Sequence, residues 1–108
     1  PDPACNPYLA FSVMLAAGLR GIEDKLECPP PAELDLYHLT QQQRDDLGIK
    51  SLPGSLIEAI TLCEGSELVR EALGEHVFRE FIGNKHLEWD RYRTHVSDFE
   101  INEYLPLL

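Results

Sequence analysis

Positive charge is scarce in this 108-residue chain: nine Lys and Arg stand against nineteen Asp and Glu, a formal net charge of −10 at pH 7. Nucleic acid and anionic membranes are held by Lys/Arg-rich faces, and the chain has no basic run from which to build one, so neither is an expected partner. Cysteine is sparse as well. Cys5, Cys28 and Cys63 are far apart, odd in number and never arranged as Cys-x-x-Cys, which supports neither a disulfide framework nor a zinc site. Reduced thiols and a cytoplasmic location follow as the simplest reading. Long apolar runs are absent too. The longest, Tyr8 to Leu19 with Ser12 inside it, falls well below the roughly 20 residues of a membrane-spanning helix and reads instead as a buried helix. The chain also has no Gly-rich loop of the phosphate-cradling kind, no useful stretch of strand-like alternation and no repeat. Its length fits one domain, or part of one, spanning residues 1–108.

What is present is a series of helix signals. Asn6 followed by Pro7 marks a start: the Asn side chain accepts from orphan N–H groups of the first turn, and Pro at the first position has no N–H to leave unpaired. The helix should run from Pro7 to about Lys25. Its apolar residues Tyr8, Leu9, Phe11, Val13, Met14, Leu15, Leu19 and Ile22 cover more than one face, a pattern that calls for burial on most sides and hence for a partner layer outside this chain. Gly18 and Gly21 either allow a close backbone approach there or are simply tolerated. Ahead of the helix, Pro1-Asp2-Pro3 predicts an extended connector. With no initiator Met and no signal-peptide pattern, the start reads as a connector leaving an upstream element.

Pro29-Pro30-Pro31 predicts a stiff, extended surface loop; without basic flanks or repeated PxxP context it is a poor ligand for a proline-reading domain. Thr40-x-x-Gln43 is a capping box opening a short helix that stops at Gly48. Ser55-x-x-Glu58 is a second, with a helix to about Glu64, and Ser66 caps another to Leu73, where Gly74 interrupts. From Glu75 to about Arg93, Phe78, Ile82, Lys85, Trp89 and Tyr92 recur at alternating steps of four and three, which places Phe78 and Trp89 in the core. Glu75 and Arg79 form a predicted charge pair one turn apart. Ser97-x-x-Glu100 is a third box, opening a short helix with Phe99, Ile101 and Tyr104 that Pro106 limits, with Leu107 and Leu108 as an apolar tail. The fold class predicted is all-α, with five to six helices.

Chemistry is harder to place. His76 and Glu80 lie one turn apart and either might be joined by His86, but no second ligand pair at zinc spacing stands behind them, so surface or hydrogen-bonded histidines are the expectation. Cys63 reads as an inert small core thiol rather than half of a Cys63–His76 pair. The carboxylates read as a solvated acidic face.

Several blocks nonetheless carry a resemblance. PDPACNPYLAF (Pro1 to Phe11), AAGLRGIEDK (Ala16 to Lys25), LGIKSLPGSL (Leu47 to Leu56), ALGEHVFREFIGNK (Ala72 to Lys85), EWDRYRTHVSDFE (Glu88 to Glu100) and EYL (Glu103 to Leu105) resemble, in collinear order, the last third of the catalytic domain of type I glutamine synthetases. Agreement of separated blocks in order and spacing is far more specific than one short motif. The resemblance implies a C-terminal helical segment that packs on the β-containing remainder of its own catalytic domain. It implies a parent enzyme that makes glutamine from glutamate and ammonia through a γ-glutamyl phosphate, using ATP and Mg or Mn. Its subunits would form a dodecamer of two stacked hexameric rings, with the C-terminal helix touching the opposite ring.

In that family a Glu-x-Arg pair, a metal-ligating carboxylate and a substrate-facing Arg, stands just upstream of the PDPACNPY block, and this chain starts after it. The resemblance therefore assigns this chain scaffold and subunit contacts, with no catalytic, cofactor-binding or metal residue. The isolated 108 residues are expected neither to bind ATP with magnesium nor to make glutamine. Two alternatives stay open: a non-enzymatic helical interaction module, and a related γ-glutamyl-amine ligase.

Tyr37 is the candidate modification position. In some members a Tyr in a similar loop, Asn-Leu-Tyr-Asp/Glu-Leu-Pro, is adenylylated; here Asp35 replaces the Asn, His38 the acid and Thr40 the Pro, and the ALGEHVF region is closer to the unadenylylated subtype. Packing of an amphipathic Tyr at a loop edge is the competing reading. The other singled-out residues are the helix caps Asn6, Thr40, Ser55 and Ser97.

Overall fold

The structure is a computed structural model that describes residues 3–107. Those residues form six α-helices and two short 3-10 turns, with no strand among them. The chain divides into two compact units, one up to Gly54 and one from Ser55.

In the first unit, α1 (Pro7–Glu23) starts as its sequence dictates: Asn6 Oδ1 accepts from the N–H groups of Tyr8 and Leu9 at 3.0 and 3.4 Å. Its end comes two residues before Lys25. Lys25 takes a left-handed backbone, φ +51°, so that its N–H reaches the Ile22 carbonyl at 3.2 Å and the Leu26 N–H reaches that of Gly21 at 2.9 Å. These two bonds satisfy the last orphan carbonyls, a closure usually made by Gly.

Upstream, Pro3 and Ala4 form a turn rather than an extended connector; Pro1 and Asp2 lie outside the described residues. Beyond α1, residues 26–33 hold the proline triplet in an exposed segment without regular structure. A 3-10 turn (Leu36–His38) and α2 (Gln41–Asp46) follow. The Thr40/Gln43 box is reciprocal, with Gln43 N–H donating to Thr40 Oγ1 and Thr40 N–H to Gln43 Oε1. Gly48, at φ +68°, closes α2 as expected.

Within this chain none of the residues of α1 is buried, so the burial its apolar pattern predicts is not supplied by the described residues. Leu9, Ala10, Val13 and Ala16 are half-covered, whereas Tyr8, Phe11, Met14, Leu15, Leu19 and Ile22 are 52 to 81% exposed. The helix is apolar on more faces than this chain covers. Within this chain a Cβ at Gly18 or Gly21 would meet nothing within 4 Å.

In the second unit, α5 (Glu75–Arg93) packs against α3 (Leu56–Glu64) and α4 (Glu67–Leu73). Ser55 Oγ accepts from Glu58 N–H at 3.4 Å and Ser66 Oγ from Val69 N–H at 3.3 Å, so each short helix has a capped start. Gly74 joins α4 to α5 at φ +74° and ψ 151°, a conformation essentially confined to Gly, and serves as the last cap of one and the first of the other.

Across that corner Arg70 reaches Glu75 at 3.0 Å and lies 4.4 Å from the ring centroid of Phe78. Glu75 thus pairs with Arg70, while Arg79, its predicted partner, turns to Glu80 at 3.3 Å. The core consists of Ile60, Phe78 and Ile82.

Trp89 is half-buried rather than a core residue, and Tyr92 beside it is exposed. Burial on α5 needs a facing side chain, and its buried positions, Phe78 and Ile82, both lie in the first half of the helix, seven residues or more before Trp89.

The last helix, α6 (Asp98–Tyr104), carries a reciprocal Ser97/Glu100 box and passes into a 3-10 turn (Leu105–Leu107) at Pro106. Phe99, Ile101, Tyr104, Leu105 and Leu107 are exposed, and Leu108 of the predicted apolar tail lies outside the described residues.

Candidate functional site

Tyr37 sits in the middle of the 3-10 turn that Asp35 organises. One carboxylate oxygen, Asp35 Oδ1, accepts from the Tyr37 N–H at 3.1 Å; the other, Oδ2, lies 2.7 Å from His38 Nδ1. A carboxylate only accepts, so the His38 proton in this contact is on Nδ1. The Tyr37 ring meets the His38 ring edge-on at 5.4 Å and is otherwise open to solvent, 90% exposed. Packing of Tyr37 against a loop edge is therefore not what holds it. The Asp35 side chain holds the backbone instead, and the phenol is presented outward.

The histidines do not converge. His86, on α5, pairs with Glu64 at the end of α3, Nε2 to Oε1 at 2.9 Å, while His76 Nδ1 lies 3.5 Å from the Arg79 guanidinium on its own helix. Among the described residues no three His, Cys, Asp or Glu side chains are grouped so as to hold a metal ion. Cys63 precedes Glu64 on α3 and is half-covered; burial, and secondarily the neighbouring Glu64 charge, push its thiol above the ordinary value. A thiol shifted in that direction keeps its proton at neutral pH, which makes it a poor nucleophile and metal ligand.

Two of these relationships differ in how far they are readable. The Asp35–His38 contact spans three residues, the spacing at which side chains eclipse in a 3-10 turn. The Glu64–His86 contact spans 22 residues and depends on how α3 lies on α5, for which no sequence signal exists.

Asn6, Thr40, Ser55 and Ser97 each accept a backbone N–H at a helix start. These four act on local structure. At Ser97 the reciprocal bonds are short: Glu100 Oε2 accepts from the Ser97 N–H and Oγ, both at 2.8 Å. Those donors, the backbone N–H first and the hydroxyl second, hold the Glu100 carboxyl below the usual glutamate range.

No helix among the described residues is long and apolar enough to cross a membrane. Comparison with known proteins identifies what such a helical chain is part of. The family described as glutamine synthetase, catalytic domain, matches residues 1–104. The glutamine synthetase of Methanosarcina mazei is 49% identical over 108 residues, which is 100% of this chain and 24% of that protein. That of Mycolicibacterium smegmatis is 53% identical over 107 residues, 99% of this chain and 24% of the relative, and that of Thermotoga maritima is 46% identical over the same length. The chain thus spans about a quarter of the length of these relatives. With nearly every residue aligned to one family in collinear order, the chain belongs to the glutamine synthetase catalytic-domain family.

Proposed function

We propose that this chain is the C-terminal helical part of the catalytic domain of a glutamate–ammonia ligase. The parent enzyme phosphorylates the γ-carboxylate of glutamate with ATP at a divalent-metal site, and ammonia then displaces phosphate to give glutamine. The observation that carries this reading is identity of about one half, unbroken over the whole chain, to relatives named glutamine synthetase. Among the described residues no three His, Cys, Asp or Glu side chains are grouped so as to hold a metal ion, and this reading assigns no step of the reaction to their side chains. ATP and Mg or Mn belong, in this reading, to upstream parts of the parent.

The role of the chain is scaffold and subunit contact. Supporting that role is the apolar surface of α1, from Tyr8 to Ile22, which offers the remainder of the catalytic domain a face to bury. The exposed apolar side chains from Phe99 to Leu107 suit a second contact, between subunits of a cytoplasmic dodecamer. Tyr37 is proposed as a modification position on the strength of its outward-facing phenol. A mass increase on the Tyr37 peptide of protein from its native cells tests it, and an unmodified peptide under both nitrogen-rich and nitrogen-poor growth counts against it.

The functional test compares two proteins. The full-length gene product should convert glutamate, ammonia and ATP to glutamine with magnesium or manganese. The isolated 108 residues should give no calorimetric signal with ATP and magnesium and make no glutamine. Saturable ATP binding by the isolated chain overturns the scaffold assignment. A full-length product that turns over ATP with another amine but not with ammonia makes it a related γ-glutamyl-amine ligase instead, and one that turns over none makes it a non-enzymatic module.

A further inference from the structure

We draw no further inference here: the strongest candidate, the exposed apolar face of α1 formed by Tyr8, Phe11, Leu15, Leu19 and Ile22, carries nothing beyond the role already proposed for it, because nothing in the structure shows what covers it.

Discussion

Asp35 and His38 hold each other, Oδ2 to Nδ1 at 2.7 Å, on either side of an exposed Tyr37. They are also two of the three positions at which this loop departs from the adenylylated motif. An Asn and an acid at these two positions would not make this carboxylate–imidazole contact. Asp35→Ala removes the acceptor of both the Tyr37 N–H and the His38 ring. A net hydrogen bond is worth about 0.5–1.5 kcal/mol, so amide exchange at Tyr37 should accelerate several-fold while that of α5 stays unchanged. Equal exchange at Tyr37 in both proteins would show that Asp35 does not organise the turn.

Ser97→Ala should lower the stability of α6 by on the order of 1 kcal/mol, because the Glu100 N–H at the helix start loses its acceptor. Amide exchange from Phe99 to Ile101 reads the loss, and unchanged protection there would remove Ser97 as a cap. The same bonds make the cap pH-dependent. The Glu100 carboxyl is held below its ordinary value by the Ser97 N–H and hydroxyl, so its contribution is fully present above that ordinary value. It is lost as pH falls through the lowered one. In Ser97→Ala the side-chain titration of Glu100 should move upward, yet not fully to the ordinary value, since the backbone N–H remains. An unmoved titration would mean that the hydroxyl does not act on it.

Phe78 and Trp89 share a stripe on α5 but not an environment. Phe78→Ala should cost about 3–5 kcal/mol, the range for removing a buried ring. Trp89→Ala should cost roughly 1–2 kcal/mol, since part of its surface stays in water. Urea midpoints of the two variants order them; equal losses would put Trp89 in the core after all.

The isolated chain exposes six large apolar side chains along α1. It should bind a hydrophobic dye or form oligomers whose size rises with concentration, and replacing Phe11, Leu15 and Ile22 by Gln should reduce both. A strictly monomeric particle without dye binding would favour an independent interaction module over a scaffold segment.

Local physics explains most of what was readable in advance. Asn6-Pro7, Thr40-x-x-Gln43, Ser55, Ser66 and Ser97-x-x-Glu100 each start a helix where their side chains reach orphan N–H groups, and Gly48 and Gly74 end helices where a positive φ is needed. These signals act within four residues, so they are fully contained in the sequence. α1 stops at Glu23, two residues short of Lys25, because Lys25 adopts a left-handed closure that its residue type disfavours and so does not announce. Family membership was legible as well, because it rests on the order of residues alone.

Burial was not legible, because it depends on what lies opposite. The periodicity of α5 predicts a stripe from Phe78 to Tyr92, and only the packing of α3 and α4 on α5 decides that it is buried at Phe78 and Ile82 and half-buried at Trp89. The contacts of Arg70 with Glu75 and Phe78, and of Glu64 with His86, arise the same way, from helices brought together across a glycine corner or a packed face. Sequence alone determined where each helix begins and which family the chain belongs to, since caps act locally and residue order is its own record. Only the tertiary structure decided which apolar and charged side chains are covered or paired, since those depend on distances between residues far apart along the chain.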